Sequence, residues 1–257
     1  MINFTMKTYL ALAAAVVGSL ILPLAPHLRA ADAPTADSAR LDAVLARYVE
    51  ALGGRAALEK ITNSISKGTA TVAGMEMQIE VLRATPARQA SRVEIPGMGT
   101  MREVYDGRTA WSVNPFQGNS EKTGEELAKA ARDAAFHQPL QMKQLFSPLA
   151  YQGSETLDAR KVEVLEAKLA GGAVERFYFS AENGLLVRRD SEFEAAAGRV
   201  KSESTFEDYR AVDGVKQPHA FRLKIEAADQ APMDLQFRIT EVRQNVALPA
   251  NAFAKPE

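Results

Sequence analysis

Apolar and polar residues alternate with a period of two along most of the chain. Phe221, Leu223 and Ile225 are separated by charged residues, and the same alternation covers residues 233–239. A period of two is typical of β strands with one apolar and one solvated face. Strands are predicted at residues 65–73, 75–84, 88–95, 100–105, 109–114, from 151, and at 161–168, 174–179, 185–194, 199–209, 219–226 and 233–242.

Two stretches have a helical period instead. In the first, Leu41, Leu45, Tyr48 and Leu52 recur three or four residues apart, which predicts an amphipathic helix that starts at residue 37 or 38. It ends at Gly53-Gly54, and a shorter helix over 55–60 can follow. In the second, residues 125–136 are rich in Ala, a helix restarts at Pro139, and Pro148 ends it.

The turn signals join these strands into hairpins. Asp106-Gly107 and Asn183-Gly184 each stand between two predicted strands, and both dipeptides favour tight β turns. About ten consecutive strands form a sheet that must twist and curl. The predicted fold class is therefore α+β, mainly β: a curved antiparallel meander, or half-barrel, whose concave face is covered by the N-terminal helix and the mid-chain helical insert.

The N-terminal residues predict export. Lys7 precedes an apolar run over 9–24, and a cleavage site after Ala30 fits the small residue there. An uncleaved membrane anchor is the alternative. The predicted organisation is a signal peptide at 1–30, a tether at 31–37 and a single domain at 38–257, with a periplasmic location.

The amino-acid composition excludes several kinds of site and partner. The chain has no Cys, which excludes disulfides, a thiol nucleophile and a lipid-acceptor cysteine. Without residues 1–30 it has 29 basic and 32 acidic residues, which argues against a nucleic-acid partner. His137 and His219 do not stand in a metal-binding spacing. No enzyme motif is found either, so we expect a protein that is not an enzyme and that uses no cofactor or metal.

Four phrases carry a resemblance to a known family. They are Ala51-Leu52-Gly53-Gly54 at the end of the first helix, the hairpin phrase at 105–111, and the two strand-and-turn phrases at 177–188 and 206–218. Together they resemble the outer-membrane lipoprotein-sorting (LolA-like) proteins of diderm bacteria. The resemblance implies an incomplete β-barrel with helices over an apolar concave face, and lipid or lipoprotein acyl chains as partners.

Apolar residues on the predicted strands are the candidate ligand site. A concave face that collects flexible methionines and aromatic rings could accept acyl chains of variable shape. The predicted acyl pocket consists of Met75, Met77, Ile79, Trp111, Phe177, Phe179, Phe221, Leu223, Leu235 and Phe237. The alternative is that these residues are ordinary core beneath the helices.

The mid-chain helices supply a candidate lid. They bear Leu127, Phe136, Leu140 and Phe146 among small residues, so they hold little apolar area and could release from the sheet. A static cover is the alternative. The predicted function is a periplasmic carrier or binding protein that buries acyl chains on the concave face. The alternative function is an envelope protein-interaction or lipoprotein-sensing module with a self-filled core.

Overall fold

The computed structural model describes residues 36–115, 118–195, 198–227 and 231–255. The predicted signal peptide and most of the predicted tether lie outside the described residues. The helices are α1 (Ala36–Ala51), α2 (Arg55–Lys60), α3 (Gly124–Ala134) and α4 (Gln138–Leu145). The strands are β1 (Asn63–Val72), β2 (Met75–Ala84), β3 (Arg88–Ile95), β4 (Gly99–Tyr105), β5 (Ala110–Asn114), β6 (Gly118–Lys122), β7 (Leu149–Leu157), β8 (Arg160–Lys168), β9 (Val174–Ser180), β10 (Leu186–Ala195), β11 (Gly198–Val212), β12 (Val215–Ala227) and β13 (Met233–Gln244).

Within the described residues these thirteen strands form one antiparallel sheet. Its order is β6-β5-β4-β3-β2-β1-β13-β12-β11-β10-β9-β8-β7, so the two halves of the meander join where β1 pairs with β13. The helical insert α3–α4 connects the two outermost strands, β6 and β7. The predicted fold class is confirmed: a mainly β, curved antiparallel meander with an N-terminal helix and a mid-chain helical insert.

The sheet is strongly curved around its helices. Asp133 of α3 accepts a hydrogen bond from Arg189 on β10 through its carboxylate, at 3.0 Å, and one from Arg83 on β2 through its carbonyl, at 3.0 Å. Strands β2 and β10 are five positions apart in the sheet, or about 24 Å at about 4.8 Å per strand. Two arginine side chains cannot span that gap on a flat sheet, so the face that carries the helices is the concave one.

Glycine holds α1 against the turn between β11 and β12. Gly53 has φ of 121°, and a Cβ there would lie 2.1 Å from the carbonyl oxygen of Gly214. The amide of Lys216 donates to the carbonyl of Leu52 at 2.8 Å. The backbones approach too closely for any side chain at residue 53, which explains why Gly53 ends α1.

Helices α1, α2 and α4 pack on the β7–β10 side of the concave face. Their core includes Leu45, Tyr48 and Phe146 from the helical segments and Leu165 and Phe177 from the strands. A separate core lies on the convex face of β1–β5, where the C-terminal residues 246–253 cover the sheet. No helix among the described residues has the length and apolar character needed to cross a membrane.

Candidate functional site

The concave face has three regions that differ in how they are covered. The first, the filled half, is the sheet under α1, α2 and α4. Phe177 and Phe179 lie here, and both are almost fully buried. Phe146 packs edge-on against Phe177 with ring centroids 4.8 Å apart, and Tyr48 lies 5.0 Å from Phe179. The chain's own aromatic rings therefore occupy this part of the face.

The second region, the polar belt, consists of Arg83, Lys129, Asp133, Glu175, Arg189 and Ser191. Arg189 Nε donates to Glu175 at 2.7 Å, and both its terminal nitrogens donate to Asp133 at 3.0–3.1 Å. Ser191 donates to the other oxygen of Glu175 at 3.2 Å, and Lys129 pairs with Asp133. The guanidinium of Arg189 also lies over the rings of Phe146 and Phe177, so the belt borders the filled half.

Burial and charge oppose each other in the belt. Burial alone would raise the pKa of Asp133, but the positive charges of Arg189 and Lys129 outweigh it and hold that pKa below its usual range. Burial would likewise lower the pKa of Arg189, but Asp133 and Glu175 raise it. These groups therefore stay ionised, and Asp133 fixes the end of α3 to β10.

The third region, the open strip, is apolar and is only partly covered. It follows rows of cross-strand neighbours over the centre of the sheet. One row is Phe206, Phe221, Phe237, Ala70 and Met77. A second row is Leu223, Leu235, Val72 and Met75. A third is Ile79, Val93 and Met101.

Burial in the open strip decreases toward one end of the strands. Met77, Ile79 and Ile239 are buried, whereas Met75, Phe221 and Phe237 are half-buried. Phe221 and Phe237 stack with centroids 4.3 Å apart and nearly parallel planes. At the same end Met233 is 46% exposed. The described residues thus leave a continuous apolar surface with methionines and stacked rings accessible to solvent.

The structure divides the predicted acyl pocket among these regions. Met75, Met77, Ile79, Phe221, Leu223, Leu235 and Phe237 lie in the open strip. Phe177 and Phe179 lie in the filled half. Trp111 does not share their face: it neighbours Val104 on the convex side, where Leu82 and the C-terminal Phe253 surround it. Grouping Trp111 with the pocket was wrong, because a period of two says which residues of one strand share a face and not which face is concave.

The predicted lid residues are also divided. Phe146 is fully buried, and Phe136 and Leu140 pack against the same core as α1. Leu127 of α3 belongs to none of the four hydrophobic clusters of described residues. Of the insert, α3 is therefore the part with the weaker apolar attachment.

Sequence reasoning missed the polar belt. Arg83 follows Met75, Met77, Ile79 and Val81 at intervals of two, so it stands on the apolar side of β2. Arg189 and Glu175 stand on the same side as Phe177 by the same alternation. The signal was a charged residue at an apolar position, which indicates a buried ionic contact.

The grooves of the convex face differ chemically from the open strip. Two of them have volumes of about 630 Å³ each. Charged side chains line both: Glu203 and Lys224 contribute to each groove, and Arg222 to the first. Ion pairs hold these three side chains. A hydrocarbon ligand would gain little binding free energy in these grooves, because the charged groups that line them would lose their hydration.

Comparison with solved structures agrees with this architecture. A DUF1329 family protein from Desulfovibrio piger has a TM-score of 0.55 at 14% identity, covering 82% of this chain and 96% of that one. A LolA superfamily protein from Nitrosomonas europaea has a TM-score of 0.51 at 15% identity, covering 83% and 97%. A domain from Vibrio parahaemolyticus that carries the name outer membrane lipoprotein-sorting protein has a TM-score of 0.51 at 11% identity, covering 75% and 89%.

Neither a protein-family model nor a curated protein matches the sequence. The structural likeness therefore establishes the fold, which is LolA-like.

Proposed function

We propose that this chain, whose fold is LolA-like, is a periplasmic binding or carrier protein for lipid or lipoprotein acyl chains, which it holds on the open strip. The observation that carries the proposal is the strip itself. Toward one end of the strands the described residues leave its Phe, Leu and Met side chains partly exposed, whereas the neighbouring filled half is covered by helices. An apolar concave surface of this kind is typical of ligand sites.

The size of the strip suits a single acyl chain. It extends from β11 to β4, six strand spacings, or about 29 Å along the sheet. Each methylene removed from water contributes about 0.8 kcal/mol, and a chain of about 16 carbons would bury only part of its surface on an open strip. After the cost of association, an affinity of about micromolar is expected. Hydrocarbon offers no hydrogen bonds, so the strip would accept chains of varied length.

Titration with a fluorescent fatty acid that brightens in apolar surroundings tests this proposal. Phe221→Glu places a carboxylate on β12 of the strip and Phe237→Glu places one on β13, and we expect each to lower affinity by about tenfold or more. The matched control is Gln236→Glu, which adds the same charge on the convex side of β13. Circular dichroism confirms that all variants fold. Equal binding by the control and both Phe variants would place the acyl site elsewhere.

One observation favours a second function. The filled half is occupied by the chain's own residues, as an envelope protein-interaction or lipoprotein-sensing module with a self-filled core would require. In such a module the outer edges of β6 and β7, which pair with no further strand among the described residues, would be available to a protein partner. A wild-type protein that binds no fatty acid in the same titration would favour this second function.

A further inference from the structure

A polar cavity of about 210 Å³ lies at the opposite end of the strands from the exposed end of the open strip. Its helical wall includes Tyr48, Leu58 and His137, and its sheet wall includes Arg83 and Tyr209. The protein positions these groups tightly. Arg83 donates to the carbonyls of Asp133 and Ala135, and His137 is 2.9 Å from the carbonyl of Ile61.

Three buried polar atoms of this cavity have no partner among the described residues. They are Nε of Arg83, Nε2 of Gln217 and Oε1 of Gln244. Leaving a buried polar atom unpaired is costly, and natural proteins rarely do so without a function or a bound molecule. The three atoms belong to residues of three different strands that line one small cavity. Two of the three, Nε of Arg83 and Nε2 of Gln217, are donors. Oε1 of Gln244 is an acceptor, and this amide donates to an oxyanion once it turns over to present its NH₂ group.

The charge of the cavity wall is positive. Arg83 and Lys216 line it, and none of its described lining residues is Asp or Glu. Arg83 donates its hydrogen bonds to the neutral carbonyls of Asp133 and Ala135, and the carboxylate of Asp133 is shared by Arg189 and Lys129. An anion in the cavity would therefore lie beside the guanidinium of Arg83, whose Nε–H has no partner among the described residues. No carboxylate among the described lining residues would compete with the anion for that guanidinium.

The polar cavity and the open strip lie on the same face of the same strands. On β2 the concave positions run from Met75 and Met77 to Arg83. On β13 they run from Leu235 and Phe237 to Gln244. On β12 the alternation leads from Phe221 to Gln217. Each strand thus offers an apolar end and a polar end, as an amphiphilic ligand would require.

We propose that this cavity is a binding site for an oxyanion, a phosphate or a carboxylate, held by Arg83, Gln217 and Gln244. Where the oxyanion is the head group of the acyl ligand, the proposal rests on the proposed function and makes that ligand an anionic amphiphile. A free anion of the same chemistry is the other source, and it needs no acyl binding.

Calorimetry with three probes separates these sources: dihexanoyl phosphatidic acid, dihexanoylglycerol with the same chains, and inorganic phosphate. We expect the phosphatidic acid to bind at least about tenfold more tightly than the neutral glyceride, since a charge-assisted hydrogen bond is lost with the head group. Gln217→Leu with Gln244→Leu should remove that preference and leave glyceride binding unchanged. Gln78→Leu is the control, because Gln78 is exposed on the convex side of β2.

Each outcome decides the matter. Equal affinity for the two lipids, with phosphate not bound, overturns the oxyanion site and leaves the acyl proposal standing. Phosphate binding that the double variant loses, without binding of either lipid, supports the oxyanion site and overturns the acyl proposal. The melting temperature of the double variant provides a second measurement. If the glutamine atoms are buried without any ligand to pair with, the replacements should raise the melting temperature and leave every affinity unchanged, which would contradict the site.

Discussion

At the scale of residues, the polar belt places a guanidinium between two carboxylates inside an otherwise apolar concave face. Glu175 is nearly fully buried and Arg189 is largely so, and each pairs with a partner of opposite charge. A buried charge without a partner is far more costly than a paired one. Removing a single member should therefore destabilise the fold more than removing an ion pair at the surface.

The effect of Asp133→Asn on the free energy of unfolding should depend on pH. The folded pKa of Asp133 is held below its usual value of about 3.9, so its contribution to stability is fully present above that pH and is lost as pH falls through the folded pKa. We expect Asp133→Asn to lower the free energy of unfolding at pH 7 by about 3 kcal/mol, because it leaves Arg189 without one of its two carboxylate partners, and by less at pH 3. Urea unfolding at both values measures the difference.

The control for that comparison is Asp42→Asn. Asp42 pairs with Lys143 at 2.7 Å, but both side chains are more than half exposed. An exposed pair contributes about 0–1 kcal/mol, so this variant should be nearly neutral. If the Asp133 variant lost no more stability than the Asp42 variant, the belt would not stabilise the fold.

At the scale of elements, the two helices of the insert are attached differently. Helix α4 and the residue after it bury Met142 and Phe146 against the filled half, whereas α3 buries only Ala134 among its described residues. Local opening has a lower free energy where fewer apolar contacts must be broken. We expect the amides of α3 to exchange with solvent faster than those of α4 and α1 in hydrogen–deuterium exchange. Equal protection of α3 and α4 would contradict a movable α3.

A matched pair of substitutions measures the same contrast in stability. Phe146→Ala should cost about 3–5 kcal/mol, because it leaves a cavity beside Phe177 in a fully buried site. Leu127→Ala should cost about 1 kcal/mol or less, because Leu127 is only half-buried on α3. Thermal or urea unfolding gives both values, and similar losses would show that α3 is held as firmly as α4.

The elements themselves were largely predictable from the sequence. The predicted strand at 75–84 coincides with β2, and the predicted helix ends at Gly53-Gly54 as α1 does. Strand β6, Gly118–Lys122, was missed because its residues are polar and exposed and carry no alternation. The pairing of β1 with β13 was not predictable, because these strands are far apart in the sequence and local hydrophobic patterns do not specify which distant strands pair.

At the scale of the whole molecule, the curvature of the sheet decides which candidate residues meet. The alternation correctly groups Phe221, Leu223 and Leu235, but it cannot show that α4 fills the space above Phe177. It also cannot show that Trp111 faces outward toward the C-terminal residues. The open strip was therefore partly predictable residue by residue, while its separation from the filled half required the three-dimensional arrangement.

The C-terminal segment is the cover of the convex face at β1–β5. Val246, Leu248 and Phe253 pack there near Trp111, and Arg88 lies over the ring of Phe253 at 5.0 Å. Ending the chain after Asn245 should lower the free energy of unfolding by about 2–4 kcal/mol, because several apolar side chains lose their cover. Denaturant unfolding and binding of an apolar dye measure the loss. Unchanged stability would mean that this segment packs only loosely.

Whether the open strip holds an acyl chain can be measured by native mass spectrometry of protein purified from the periplasm without detergent. We expect a discrete added mass on the wild type that extracts as a lipid or acyl chain, with the same mass on Gln236→Glu and none on Phe237→Glu. A wild-type protein that keeps its unmodified mass, even after incubation with lipids and an acylated peptide, would contradict acyl-chain binding on the open strip.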